Sequence, residues 1–126
     1  MSSHQWIAVA ALAAAAGVGL GAFGAHGLEE RFAETENGLA NWETGVRYHV
    51  WHALALAIFG LCAERFSLPN FIGWCFLIGI VFFSGSLYLL SLEIGAGVVW
   101  PFTPLGGTLF LLGWLRFAQE MMRAND

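Results

Sequence analysis

The chain has 126 residues, 58% hydrophobic and 11% charged, where a soluble domain carries about 25% charged residues. It has no Lys, and five Arg against nine carboxylates give a formal net charge of −4. These figures exclude a nucleic-acid binder that neutralises phosphates and a disordered chain, leaving a single integral membrane domain over residues 1–126.

From Trp6 to Ala25, 20 residues pass without an ionisable side chain. At about 1.5 Å per residue such a run crosses a hydrocarbon core of about 30 Å, and the expected first helix covers about 5–27. Gly17, Gly21 and Ala25 recur every four residues as a small-residue packing face. No Lys or Arg precedes the run, and it exceeds the core of about 7–15 residues of a secretory signal, so it is expected to be a retained span. His26 closes it. Residues 28–41 form an acidic surface loop in which Leu28 and Phe32, four apart among carboxylates, predict a short helix lying on the membrane.

The second helix is expected at about 42–64, with Asn41 as N-cap and Glu43 in its first turn. The short connection from Glu64 to Asn70, ended by Pro69, makes helices two and three an antiparallel hairpin. The third helix, about 70–92, should end near Glu93, where Gly95-Ala96-Gly97 tolerates positive φ. Thr103 reads as an N-cap with Pro104 at the first position of the fourth helix, about 103–121. Gly106 and Gly107 are further packing positions, and Arg116 should snorkel to the headgroups. Cys62 and Cys75 read as reduced, buried thiols, and Trp6, Trp42, Trp100 and Trp114, near span ends, as interfacial anchors.

The expected fold is therefore all-α, an antiparallel up-down four-helix membrane bundle with both termini on one side. Arg65, Arg116 and Arg123 fall on that side and Arg31 and Arg47 on the other, which favours cytoplasmic termini. The ends of odd helices lie level with the starts of even ones, and polar residues collect there: His26, Tyr48, His49, His52, Ser84, Ser86, Tyr88 and Thr103. Tyr48 and His52 are four apart, as are Ser84 and Tyr88, so each pair shares a helix face. A hydroxyl or imidazole in lipid must find a partner, so these faces should point inward. The expected lining of the resulting pocket is His26, Tyr48, His52, Ser84, Tyr88 and Thr103.

Four stretches together, Gly21-Ala-Phe-Gly-Ala-His26-Gly, Trp42-Glu-Thr-Gly-Val-Arg-Tyr48-His-Val-Trp-His52, Phe83-Ser-Gly-Ser-Leu-Tyr88 and Thr103-Pro-Leu-Gly-Gly107 with Gly113-Trp114, resemble the small membrane-protein family typified by YgdD and YwdK, related to the eukaryotic transmembrane protein two-five-six. The resemblance covers nearly the whole chain. It implies a four-helix protein of the bacterial inner membrane and carries over no biochemical activity. The family pattern matches His26, Tyr48 and His52, whereas relatives often have Gln or another residue in place of His49.

Two kinds of function fit this pattern. In the first, the polar residues bond helix to helix and the protein is a structural or accessory component, in contact with membrane lipids and with a partner membrane protein or a second copy. In the second, His26 and His52, with His49 and with Glu29 or Glu93, hold a metal or another small ligand. A haem or quinone site would need histidines facing each other across a cavity, and the many Gly and Ala favour close helix contact instead. Phe83-Ser-Gly-Ser-Leu lies in a hydrophobic helix and the one Asp is Asp126, so no Ser-His-Asp set is available and an enzyme is not expected. A channel or carrier would require oligomerisation, since no acidic or Arg side chain occupies a midspan position. The structural or accessory reading, with no metal, no cofactor and no nucleic-acid partner, is the one adopted.

Overall fold

Capping decides where the first rod begins. In a computed structural model describing residues 1–124, the Ser2 hydroxyl accepts from the Gln5 N–H (3.3 Å) and the Gln5 side chain accepts from the Ser2 N–H (2.8 Å), a reciprocal box that opens helix α1 (Ser3–His26). Asp126 lies outside the described residues. The loop that follows carries the short helix expected there, α2 (Glu29–Ala33), with Phe32 buried. The Arg31 guanidinium donates to the Leu92 carbonyl (2.8 Å) and stands 3.8 Å from Glu93, tying this loop to the end of the third rod.

Helix α3 (Gly38–Ala63) begins four residues before the expected start at 42. Its boundary is Asn37, in the left-handed region at φ 61°, a conformation Asn tolerates better than most residues, so Asn41 lies inside the helix and caps nothing. Helix α4 (Asn70–Ser91) widens into a π-helical turn over Ile80–Ser84. Past its end Glu93 and Gly95 both take positive φ (57° and 62°), and a single turn, α5 (Ala96–Val99), leads into α6 (Phe102–Arg123). Thr103 is the second residue of α6 and caps no N–H, because its hydroxyl is engaged elsewhere.

The described residues thus contain four helices long and apolar enough to cross a membrane, and the fold is an all-α bundle. Backbones approach most closely between α1 and α3, α3 and α4, and α4 and α6. The middle helices α3 and α4 share the bundle axis, with α1 and α6 on opposite flanks. Towards the terminal end the core is apolar, built on Trp6, Leu56, Phe59, Ile72 and Phe76.

Small residues set these approaches. A Cβ at Gly106 would strike the backbone of Phe83, inside the π-turn, and one at Gly24 would strike the Trp42 indole. The packing face of α1 is accordingly Gly17, Gly21 and Gly24, with Ala25 exposed; Gly107 makes only ordinary contact with the Phe83 ring (3.7 Å). Trp6 and Trp42 do not sit at the lipid interface as expected. Both are buried, because each indole N–H finds an acceptor on a neighbouring helix: Trp6 donates to Asn70 Oδ1 (2.7 Å) and Trp42 to the Leu20 carbonyl (2.9 Å). Cys75 is buried and Cys62 half-buried, both free thiols.

Gly106→Val should force α4 and α6 apart and destabilise the fold by about 1–3 kcal/mol, the usual cost of overpacking. Gly19→Ala, where an added methyl meets nothing within 4 Å, should leave stability unchanged or slightly raised. Thermal unfolding of both variants in detergent, followed by circular dichroism, checks the contrast.

Candidate functional site: a polar layer between the helices

His52 lies 14 residues beyond Gly38 in a helix of 26. That puts it about 21 Å along a rod of about 39 Å, in the middle of α3. His52 is 5% exposed, and both of its ring nitrogens are engaged. Nδ1–H donates to the Tyr48 carbonyl one turn back (2.8 Å), and Nε2 accepts from the Trp114 indole N–H on α6 (3.1 Å). The two bonds together select one neutral tautomer, because a nitrogen that accepts cannot carry a proton. Phe110 holds the ring flat from the α6 side, with centroids 3.5 Å apart and planes within 9°.

His49, one turn earlier and 6% exposed, makes the second link. Its Nδ1 is 2.9 Å from the Tyr88 hydroxyl of α4, and the Ala13 carbonyl of α1 lies against the same ring, close to Gly17. Gly45 leaves the room in which the Tyr88 ring sits. The third link joins α4 to α6. Ser86 donates to the Phe83 carbonyl (2.8 Å), so the Thr103 hydroxyl donates to Ser86 Oγ (2.6 Å). Ser91 donates back to the Leu87 carbonyl (2.6 Å). Ser84, at the end of the π-turn, is fully buried, and its hydroxyl has no partner among the described residues.

The expected lining therefore does not close around one cavity. Tyr48 and His52 stack on each other (6.0 Å, 10°) and border an open groove of about 530 Å³ between α3 and α6, with Phe83, Phe110 and Trp114. Tyr88 belongs to the His49 link and Thr103 to the Ser86 link. Ser84 is buried without a bond to any of them. His26 joins none of these groups; it is exposed at the end of α1, where the helix stops one residue before Gly27. His49, Ser86, Trp114 and Phe110 are residues of these links that the expected lining leaves out. The four-residue spacing of Phe110 and Trp114 in the sequence points to a shared face.

Apart from the unpartnered Ser84 hydroxyl, the layer is a set of satisfied hydrogen bonds. A metal ion on His52 would have to displace the Trp114 N–H, and His26 is not beside it to serve as a second ligand.

A four-span helical bundle locked by buried imidazole, indole and hydroxyl groups defines the class: a small polytopic membrane protein. Residues 20–107 match the family described as "Protein of unknown function (DUF423)". The chain is 43% identical over 111 residues to a "UPF0382 membrane protein" of Staphylococcus epidermidis, covering 87% of this chain and 88% of that one. It is 42% identical over 113 residues to "UPF0382 membrane protein YwdK" of Bacillus subtilis, with 87% and 89% covered. A "UPF0382 membrane protein" of Haemophilus influenzae is 40% identical over 127 residues, with 98% of each chain covered. The chain belongs to this family. No solved structure matches it significantly.

Trp114→Phe, which removes the indole N–H together with part of the ring packed on Phe76 and Phe117, should destabilise the bundle by more than about 0.6 kcal/mol, the average for interhelical bonds in lipid. His52→Ala should cost more, since it also removes the ring that Phe110 covers. In a double-mutant cycle read by unfolding in detergent, the pair should couple positively; strict additivity would mean that the bond contributes nothing.

Proposed function

We propose that this protein is a non-catalytic structural or accessory component of an assembly in the bacterial inner membrane, with both termini in the cytoplasm. The observation that carries this reading is the use of both His52 nitrogens in bonds within the chain, one of them to α6. The partners are a backbone carbonyl and an indole N–H, neither of which exchanges a proton readily, so the ring holds helices in register. The outer flanks support the same reading. Helices α1 and α6 lie on the flanks and turn broad apolar faces outward, including Leu12, Val18 and Phe23 on α1 and Leu111 and Leu115 on α6. Those faces can meet lipid, a partner membrane protein or a second copy of the chain.

The test is extraction of the tagged chain from native membranes in mild detergent, with the tag at either end. A defined assembly containing another membrane protein in fixed ratio, recovered with both tag positions, is expected. Recovery of the chain alone with a stoichiometric transition metal would sink the reading in favour of metal binding, and a ring of identical chains with ion conductance in bilayers would favour a channel. Reporter fusions at residues 1 and 124 should both report the cytoplasm.

A further inference from the structure

Arg47 and Glu43 stand one helical turn apart on α3, on the side turned away from His49 and His52, and both are exposed. Glu four residues before Arg on a helix is the favourable order for an ion pair. Here the two side chains form none, and among the described residues neither enters any other salt bridge. Instead they border one groove, about 330 Å³, running between α1 and α3 over Gly21, Gly24 and Val46. Past Gly24, Ala25 and Leu39 the groove continues into a second hollow of about 460 Å³, edged by Glu29 and Phe32 of α2.

The charges are ordered by depth. Glu29 lies on the surface helix, Glu43 near the start of α3, and Arg47 about 6 Å further along the rod towards the hydrocarbon. An unpaired guanidinium at that level is costly and needs an anion. A phospholipid with an amine in its headgroup presents the complementary order, with its phosphate inward and its ammonium outward. Two carboxylates beside one Arg repel a headgroup that brings a phosphate without a cation. The small side chains of α1 leave the floor of the groove open for the glycerol and upper acyl carbons.

We propose that this groove is a binding site for one phospholipid bearing a primary ammonium. Arg47 holds the phosphate, Glu43 and Glu29 hold the ammonium, and Gly21, Gly24 and Val46 carry the start of an acyl chain. Arg47 is the better phosphate ligand because its guanidinium can donate two parallel N–H bonds to two phosphate oxygens.

Native mass spectrometry of the purified full chain in mild detergent, with equimolar phosphatidylethanolamine and phosphatidylglycerol added, tests this. One phosphatidylethanolamine should remain bound, favoured over phosphatidylglycerol by about tenfold, as a charge-assisted contact predicts. Arg47→Gln should reduce that retention, and Glu29→Gln with Glu43→Gln should remove the preference between the two lipids. Circular dichroism shows whether each variant folds. Phosphatidylcholine, whose trimethylated nitrogen donates no hydrogen bond, should compete poorly against phosphatidylethanolamine on the unmodified protein, which tests the site without any substitution. Equal retention of the three lipids, Arg47→Gln binding like the parent, or a second copy of the chain taking the place of the lipid would each overturn the proposal.

Discussion

Hydrocarbon offers no hydrogen bonds, so a polar side chain carried below the headgroups has to be met by another group of the same protein. In this chain that requirement is met mostly between helices. Trp42 joins α3 to α1, Trp6 joins α1 to α4, His49 joins α3 to α4, Trp114 joins α6 to α3, and Thr103 joins α6 to α4. Every pair of spans is linked in this way except α1 with α6, the two that lie on opposite flanks. The bonds therefore trace the packing arrangement, and each is worth making because the alternative is an orphaned donor in lipid. Among the described residues, Ser84 is the buried side chain that has not met that requirement.

The same helices solve a second problem, since lipid tails are as apolar as leucine and give helices no hydrophobic reason to associate. Close packing has to supply the attraction. Large rings enter gaps left by glycines on the facing helix: Trp42 over Gly24, Trp6 and Phe59 over Gly73, Phe110 over Gly79, Phe76 over Gly113. A ring set so closely makes many dispersion contacts, and an indole adds a donor at its edge. Trp6, Trp42 and Trp114 each act in both ways, filling volume and closing a hydrogen bond. The high content of glycine and of aromatic residues is thus one feature, a set of gaps and the rings that fill them.

The four spans were legible because charge is nearly absent from them and abundant in the first loop. The details that failed share a cause: nothing in a helical period says which neighbour a helix end will meet. The residues from Gly38 to Asn41 carry no charge and could be loop or helix; the structure makes them helix, and the second span begins four residues earlier than expected. His26 and His49 are the same residue type at the same expected level. Only packing separates them, since His26 is exposed at the last position of α1 whereas Gly17 leaves His49 room against α1. Trp6 was misread on a general preference of indoles for interfaces. Its spacing with Ala10, Gly17 and Gly24 was available in the sequence, and all four are buried along one stripe of α1.

Interior and surface therefore divide the polar residues between them by a physical criterion. The His49 and His52 imidazoles lie in the interior and bond to groups of the same chain, and a bond of that kind is worth most where water is absent. Glu29, Glu43 and Arg47 are exposed towards the chain's loop end, and among the described residues they form no salt bridge. Were His52 the ligand-binding group, the bundle interior would have to open, breaking the Trp114 bond and lifting Phe110 off the ring at once. Binding at the edge requires no such rearrangement, because the glycine floor between α1 and α3 is already open. A bundle rigid at its centre and receptive along its rim can engage lipid or protein neighbours without changing its fold.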